Sequence, residues 1–497
     1  MSQDVAGGVF EPFWLDFPLC DIHLAITSDV LHQLYQGVFK HIVEWCQELM
    51  DEEELDRRIK ALPPCYGVRH FHNGWSGMGQ IGGKERKHMA RVLLGCLIGK
   101  VPRGVIQAYR SLLDFIYLAQ YPTHDDTTLQ YMQKALEDFH QHKEVIINLG
   151  VRDDIDIPKF HSLQHYLENI KNFGTTDNYN TEMFERFHID FCKEAWYASN
   201  GRNEKPQMIA WLTRREKVSS FQSYLKMSME DEEEEFAHSR FGDQRLLLTK
   251  RPHQARRHIL DVIQDHNCQG FKKDLISYLN SQLSDPHSRG RLRHMDLPFS
   301  HIDIYHGFKF CLDSLGNDND FDQEETDTVK AKPSLGGKPA RFDTVVVMDT
   351  SDCETTGLKG KFQVIKYSMP VSNLTLPIGT RIGRLKVIFK LPSQVYGSVT
   401  PAWTKDPLAY VEWYAPLKPA AEDYHEMYLV KKCLSNADGF TPGQVISLSS
   451  IRQTCQLIPN FGRTALPIEW TSDSVLDRCD TFFLNCFTSK YAYQTLW

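Results

Sequence analysis

The sequence lacks the features that identify membrane, secreted and disulfide-rich proteins. No apolar run reaches the roughly 18 residues that a membrane span needs, and the opening MSQDVAGGVFEPFW lacks the basic and then apolar order of a signal peptide. Twelve cysteines are present, but none forms a C-x-x-C pair, so neither a disulfide framework nor a cysteine zinc site is indicated. We therefore expect an intracellular protein.

The sequence also lacks a net positive charge and a recognisable phosphate-binding loop. The net charge is -8, so any surface for nucleic acid must be a local basic patch. No glycine-rich stretch follows a strand and opens a helix, as a phosphate-binding loop requires, and no G-x-S-x-G motif is present. Apolar residues make up 41% of the 497, which is typical of a globular protein, and the length suggests about three domains.

The N-terminal half has the apolar spacing of helices. In VLHQLYQGVFKHIVEWCQELM, apolar side chains recur every three or four residues at Leu31, Leu34, Val38, Ile42 and Trp45. Similar stretches continue to about residue 227. We predict a mostly α-helical region up to the acidic run EDEEEE, which begins at residue 230.

In the remainder of the chain, composition and predicted secondary structure change twice. Residues 238–315 are basic and predicted to be helical, and residues 316–339 have the acidic, Gly- and Pro-containing composition of a disordered linker. From residue 340 to 497, β-branched runs such as RFDTVVVMD and RLKVIFKL predict a β-rich domain, either a small barrel or an open sandwich. The predicted fold class is therefore α+β and multidomain.

Three pairs of residues could have a catalytic or metal-binding role. Asp29 and His32 lie at the start of a predicted helix. An aspartate in this position can bind a metal ion, or it can simply stabilise the helix through its favourable interaction with the helix dipole. Glu182 and Glu185 are three residues apart and project from one side of a helix, with the same two explanations. A pair at positions 161 and 165 has the spacing of zinc helices, but no third ligand is evident, so we favour a hydrogen-bonded histidine pair.

Two long phrases resemble a known family. PLCDIHLAITSDVLHQLYQGVFKHIVEWC is similar to the segment around the second catalytic aspartate of Plavaka transposases, fungal relatives of the CACTA elements. IDIPKFHSLQHYLENIKNFGTTDNYNTEMFERFHIDFCKEAWYASN resembles their glutamate-bearing segment, and C-terminal stretches such as LAYVEWYAP resemble their tail. The resemblance extends from about Phe13 to Trp497.

The resemblance implies an RNase H-like core with a D-D-E carboxylate triad and a large helical insertion. It assigns residues 1–29 and 177–229 to the core and 30–176 to the insertion. Asp29 would be the second aspartate, with His32 completing a D-x-x-H signature. Glu185 is the favoured third carboxylate and Glu182 the alternative. The implied cofactor is Mg²⁺, bound by Asp29 and Glu185, because two such ions activate the nucleophile and stabilise the leaving oxygen.

The first aspartate of the triad is not evident. Asp4, Asp16 and Asp21 precede Asp29, but none follows a β-branched strand. We therefore expect a transposon-derived remnant that does not cut DNA. The alternatives are an active transposase completed by an upstream segment, a non-catalytic DNA- or protein-binding remnant, and a gene fragment without a cellular role.

DNA is the partner that the resemblance implies, with self-association left open and a nuclear location expected. A DNA surface would use the basic segment, whose cationic side chains include Arg245, Lys250, Arg251, Arg256, Arg257, Lys272 and Lys273.

Overall fold

The computed structural model describes residues 14–19, 21–229, 246–282, 297–312, 326–348, 380–392, 403–418 and 420–496, with side chains described to residue 225 in the second range. The strands RFDTVVVMD and RLKVIFKL predicted from sequence are present, whereas the predicted strand KFQVIKYSM lies outside the described residues. None of the described helices has both the length and the apolarity needed to cross a bilayer.

The N-terminal half is helical, as its apolar spacing predicts. A π-helical segment, Val30–Val38, leads directly into the helix Phe39–Leu49, and a second π-helical segment, His188–Lys193, joins the helices Thr181–Phe187 and Glu194–Tyr197. The helices of this half are α1 (Ile22–Ala25), α2 (Phe39–Leu49), α3 (Glu52–Lys60), α4 (Gly83–Ala90), α5 (Leu93–Leu97), α6 (Arg103–Leu118), α7 (Asp126–His142), α8 (Glu144–Asn148), α9 (Pro158–His161), α10 (Tyr166–Phe173), α11 (Thr181–Phe187), α12 (Glu194–Tyr197) and α13 (Glu204–Met229). Within the described residues 14–229 there is no strand, so an RNase H-like sheet stays a prediction.

The described strands of the C-terminal half form two antiparallel sheets. Its strands are β1 (Leu246–Leu247), β2 (Gln254–His258), β3 (His301–Tyr305), β4 (Gly307–Cys311), β5 (Thr326–Lys332), β6 (Arg341–Phe342), β7 (Thr344–Met348), β8 (Thr380–Lys390), β9 (Leu408–Trp413), β10 (Leu429–Lys431), β11 (Gly443–Ser447), β12 (Ile451–Pro459) and β13 (Thr481–Asn485). The smaller sheet has the order β1-β4-β5-β6. The larger has the order β10-β13-β12-β7-β8-β3-β2, with β9 pairing β8 and β11.

In the described part of this half, four helices accompany these sheets, and the described strands do not close into a barrel. The helices are α14 (Ile259–Asp265), α15 (Phe271–Ser281), α16 (Val475–Arg478) and α17 (Lys490–Leu496). An α+β fold is therefore confirmed, and the barrel alternative does not describe these strands.

The segment from 238 to 339 differs from its sequence-based prediction. The basic stretch QARRH forms strand β2 rather than a helix, and β3 and β4 also lie in this segment. Residues 326–332, predicted as part of a linker, form strand β5 because Asp327, Val329 and Ala331 alternate inward along it. The preceding residues 316–325 lie outside the described residues.

One hydrophobic core joins the helical half to the larger sheet. The cluster contains helical residues such as Leu112 and sheet residues such as Leu457 and Phe482. Gly95 on α5 packs so closely on β12 that a Cβ atom there would lie 2.4 Å from the Cδ1 atom of Ile458. Residues of the predicted insertion, 30–176, and of the predicted β-rich domain, 340–497, therefore share one core.

The fully buried Arg58 on α3 ties these parts together. Its guanidinium donates to the carbonyl oxygens of Cys96 and Ile98, at 2.9 and 3.0 Å, and to that of Gly462, at 2.9 Å. Its Nε atom donates to Glu54 Oε1 at 3.0 Å, so the buried charge is neutralised. One side chain thus joins α3 to a backbone carbonyl 404 residues further along the chain.

Replacement of this arginine should destabilise the whole protein. In Arg58→Met, two buried carbonyls and one partly buried carbonyl lose a donor and Glu54 loses its buried partner. We therefore expect a loss of about 3–5 kcal/mol in the free energy of unfolding. Urea unfolding, followed by tryptophan fluorescence, measures it.

The control is Arg57→Met on the same helix. Arg57 pairs with the same glutamate at 3.1 Å but is partly exposed, so we expect a loss below about 1 kcal/mol. Equal losses in the two variants would contradict the role assigned to Arg58.

Candidate functional site

The candidate site begins at Asp29, immediately before the π-helical segment Val30–Val38. Asp29 has extended backbone angles and caps this segment, since its Oδ2 atom accepts the N–H of His32 at 2.6 Å. The carboxylate is only 13% exposed. Local helix capping therefore fixes the direction in which this carboxylate points.

The same carboxylate reaches a distant part of the chain. Its Oδ1 atom accepts the backbone N–H of Thr181, the first residue of α11, at 2.8 Å. The hydroxyl of buried Tyr166 on α10 donates to the carbonyl oxygen of Asp29 at 3.1 Å and lies 2.8 Å from Gln33 Oε1. These contacts hold the start of α11 beside the Asp29 turn, although 152 residues separate Asp29 from Thr181.

His32 lies between the two predicted carboxylates. Its Nδ1 atom is 2.8 Å from Asp29 Oδ2, and its Nε2 atom is 2.8 Å from Glu185 Oε1. The Thr181 hydroxyl lies 3.2 Å from the same Nδ1 atom. Both carboxylate contacts are hydrogen bonds at once only when both ring nitrogens carry protons. Asp29, His32 and Glu185 therefore form a continuous polar chain.

The environment of Asp29 favours its charged form. Burial by itself would raise the pKa of the carboxyl group, but the backbone N–H groups of His32 and Thr181 donate to it, with help from their side chains. The hydrogen bonds outweigh the burial, and the pKa lies below its ordinary value of 3.8. The group is thus a carboxylate at neutral pH.

The two candidate glutamates have different partners. Glu185 contacts His32, whereas Glu182 forms an ion pair with Lys87 of α4. The Lys87 ammonium also lies 5.5 Å from the centre of the Tyr35 ring. Glu185 is therefore the glutamate joined to Asp29 through His32, and Glu182 is held by a cation.

The positions of these side chains decide whether a magnesium ion could bind as predicted. Mg²⁺ binds oxygen ligands at about 2.1 Å, so two carboxylates that share an ion must face each other closely. Here the imidazole of His32 lies between Asp29 and Glu185. In the part of the chain that the structure describes, no three His, Cys, Asp or Glu side chains are grouped for a metal ion. The arrangement does not fit a magnesium ion shared by Asp29 and Glu185.

Other candidates lie elsewhere. Asp21 caps α1, accepting the N–H groups of His23 and Leu24. The rings of His161 and His165 meet edge to face with centroids 5.3 Å apart.

The predicted DNA-binding residues divide into two groups. Lys250, Arg251 and Arg256 are exposed on and before β2, and Arg245 lies outside the described residues. Arg257 is paired with Asp265 at 2.8 Å, and this ion pair weakens the attraction of Arg257 for a phosphate. Among the further cations named from the sequence, Lys273 is paired with Asp438.

Three residues at the site escaped the sequence analysis. Thr181, Tyr166 and Lys87 orient Asp29, His32 or Glu182, but none belongs to a recognisable motif. Asn180 gave a usable signal, because an Asn before a helical stretch predicts a cap, and its side chain accepts the N–H of Glu182. That signal locates the start of α11 but does not say what lies beside it.

Comparison with known proteins links this site to one family. Residues 2–46 match the family model described as Plavaka transposase, and this segment contains both Asp29 and His32. The resemblance is thus confirmed over these residues and supports a Plavaka-type transposase origin, while α11 lies outside the match. No curated protein and no solved structure matches the chain.

Removal of the Asp29 charge should weaken the fold around the site. In Asp29→Asn, the side chain keeps its size but loses one acceptor and its charge. We expect the free energy of unfolding at pH 7 to fall by about 1–2 kcal/mol. Because the pKa is lowered on folding, this stabilisation is full above the ordinary value of 3.8 and disappears as pH falls through the lower folded pKa.

Urea midpoints at pH 7, 5 and 3.5 measure the difference from the wild-type protein. The matched control is Asp21→Asn, because Asp21 caps the exposed four-residue α1 and should change stability by less than about 0.5 kcal/mol. A difference between wild type and Asp29→Asn that grows on acidification would refute the assignment.

Proposed function

We propose that this chain is a transposon-derived protein that carries part of a D-D-E-type centre for DNA strand cleavage and transfer, and that it does not cut DNA by itself. The supporting observation is the polar chain from Asp29 through His32 to Glu185, which joins two distant segments. The resemblance to Plavaka transposases implies this pairing, and the family match includes its first half.

Inactivity is proposed because the candidate acidic groups are already engaged. Both oxygens of Asp29 accept hydrogen bonds, and Glu185 contacts His32. Glu182 is paired with Lys87. A two-ion mechanism requires carboxylate oxygens turned toward both ions, and a partial set does not lower the high barrier of phosphodiester hydrolysis enough to be measured.

DNA is the proposed partner, and a nuclear location follows from that proposal. The exposed Lys250, Arg251 and Arg256 could contact phosphates without reading sequence. Because the net charge of the chain is -8, such binding should be weak and strongly salt-dependent.

The purified chain should leave supercoiled plasmid intact with either Mg²⁺ or Mn²⁺. Two carboxylates separated by an imidazole do not assemble a two-ion centre, so the amount of nicked circle should equal that of a protein-free reaction. Agarose gel electrophoresis of the plasmid measures this.

The matched control is Asp29→Asn, which should give the same background as the wild-type chain. Metal-dependent nicking that is present in the wild type and lost in Asp29→Asn would overturn the proposed inactivity. Equal nicking by both proteins would indicate a contaminating nuclease. In that case Glu185→Gln should nick the plasmid to the same extent as well.

A further inference from the structure

The segment that carries Glu185 forms a projecting helical hairpin. We call residues 181–225 the hairpin arm; it consists of α11, the π-helical segment, α12 and α13 as far as residue 225. Arg215 on α13 donates to the carbonyl oxygen of Asp190 and to Glu194 Oε2, both at 2.7 Å. These bonds fold α13 back along the first half of the arm.

The arm leaves its large apolar side chains in solvent. Ala195 is the buried residue among the described side chains of the arm. The large apolar side chains exposed by 40% to 81% are Met183, Phe184, Phe187, Ile189, Phe191, Trp196, Tyr197, Ile209, Val218, Phe221, Tyr224 and Leu225. None of them belongs to a hydrophobic cluster of the described residues.

Six of these twelve side chains fall on two short helical stripes. Phe184, Phe187 and Phe191 are spaced by three and four residues, and the rings of the last two are 5.6 Å apart. On α13, Val218, Phe221 and Leu225 repeat the same spacing. Two adjacent helices with exposed apolar stripes resemble half of a four-helix bundle.

The exposed area is large enough for a stable dimer. Seven of the twelve side chains are aromatic, and a fully covered aromatic side chain buries about 150–250 Å². Because these seven are each roughly half exposed, their exposed parts amount to about 700 Å², to which the five aliphatic side chains add. A standard protein interface buries about 800 Å² on each partner. The largest apolar patch of a typical monomer is about 300–600 Å².

Charge disfavours DNA as the molecule that covers the arm. Residues 181–225 contain seven Lys or Arg residues against six Asp or Glu residues, and Arg186 and Arg215 are paired with Asp190 and Glu194. A surface that follows a phosphate backbone needs an excess of cations. An apolar surface with balanced charges is instead suited to a protein partner that carries the same pattern.

We propose that two copies of this chain associate through their hairpin arms, packing the aromatic stripes of one copy on those of the other. The contact places the start of α11, with Glu185, at the edge of the dimer interface. The proposal rests on the apolar arm and is independent of any DNA chemistry.

Sedimentation velocity of the full chain over a wide concentration range tests the dimer. The wild-type protein should sediment as a dimer, and the double variant F187E/F191E should raise its dissociation constant at least tenfold. The matched control is Ile468→Glu, at a side chain that is 93% exposed and outside the arm, and it should leave the dimer unchanged.

A second measurement locates the contact. Cys192 is an exposed cysteine within the arm, so a short bis-maleimide should cross-link two wild-type copies and should fail with Cys192→Ser. A wild-type chain that stays monomeric at all concentrations overturns the proposal, as does a dimer that persists in F187E/F191E. A monomer that loses DNA binding in the same variant would assign the arm to nucleic acid and also refute the proposal.

Discussion

The arrangement of the candidate site depends on the carboxylate of Asp29. One oxygen caps the π-helical segment that follows it, and the other accepts the first N–H of α11. A single side chain therefore satisfies exposed donors at the starts of two helices, which stabilises both and fixes their relative position. His32 and Glu185 come together as a consequence, because His32 lies in the first turn of the π-helical segment and Glu185 lies four residues beyond Thr181 on α11. The capping hydrogen bonds of Asp29 are therefore sufficient to explain why the polar chain forms.

The scaffold behind this site is shared between the two halves of the chain. Helices α5 and α6 pack against the sheet that contains β12 and β13, in one continuous hydrophobic core. Arg58 adds a buried polar tie to the same junction, since its donors satisfy carbonyls from both halves. Loss of either half would expose this shared core, whereas two smaller clusters lie wholly within the C-terminal half. The β-rich half therefore supports the site without contributing a residue to it in the described part of the chain.

Sequence patterns predicted local structure well and long-range structure poorly. The helices from Val30 to Met229 follow from apolar spacing, and the Asp29 turn follows from its position before a helix. β5 was missed because acidic composition obscured the alternation of Asp327, Val329 and Ala331; the Asp327 carboxylate is buried against Thr454, a partner far along the chain. The roles of Thr181 and Lys87 were equally invisible, since they depend on contacts across about 95 to 152 residues. Family resemblance, rather than spacing, predicted that Asp29 and Glu185 share a site; in the structure both contact His32.

Amide hydrogen exchange at Thr181 tests the central claim most directly, because this N–H is the link between the Asp29 turn and α11. Exchange at pH 7 can be followed in a short peptic peptide that covers the start of α11, in the wild-type protein and in Asp29→Ala. The account predicts a protected Thr181 amide in the wild type and exchange at least about tenfold faster in the variant, with peptides from α6 unchanged. A Thr181 amide that exchanges in the wild type at the rate of an unstructured peptide would contradict the account.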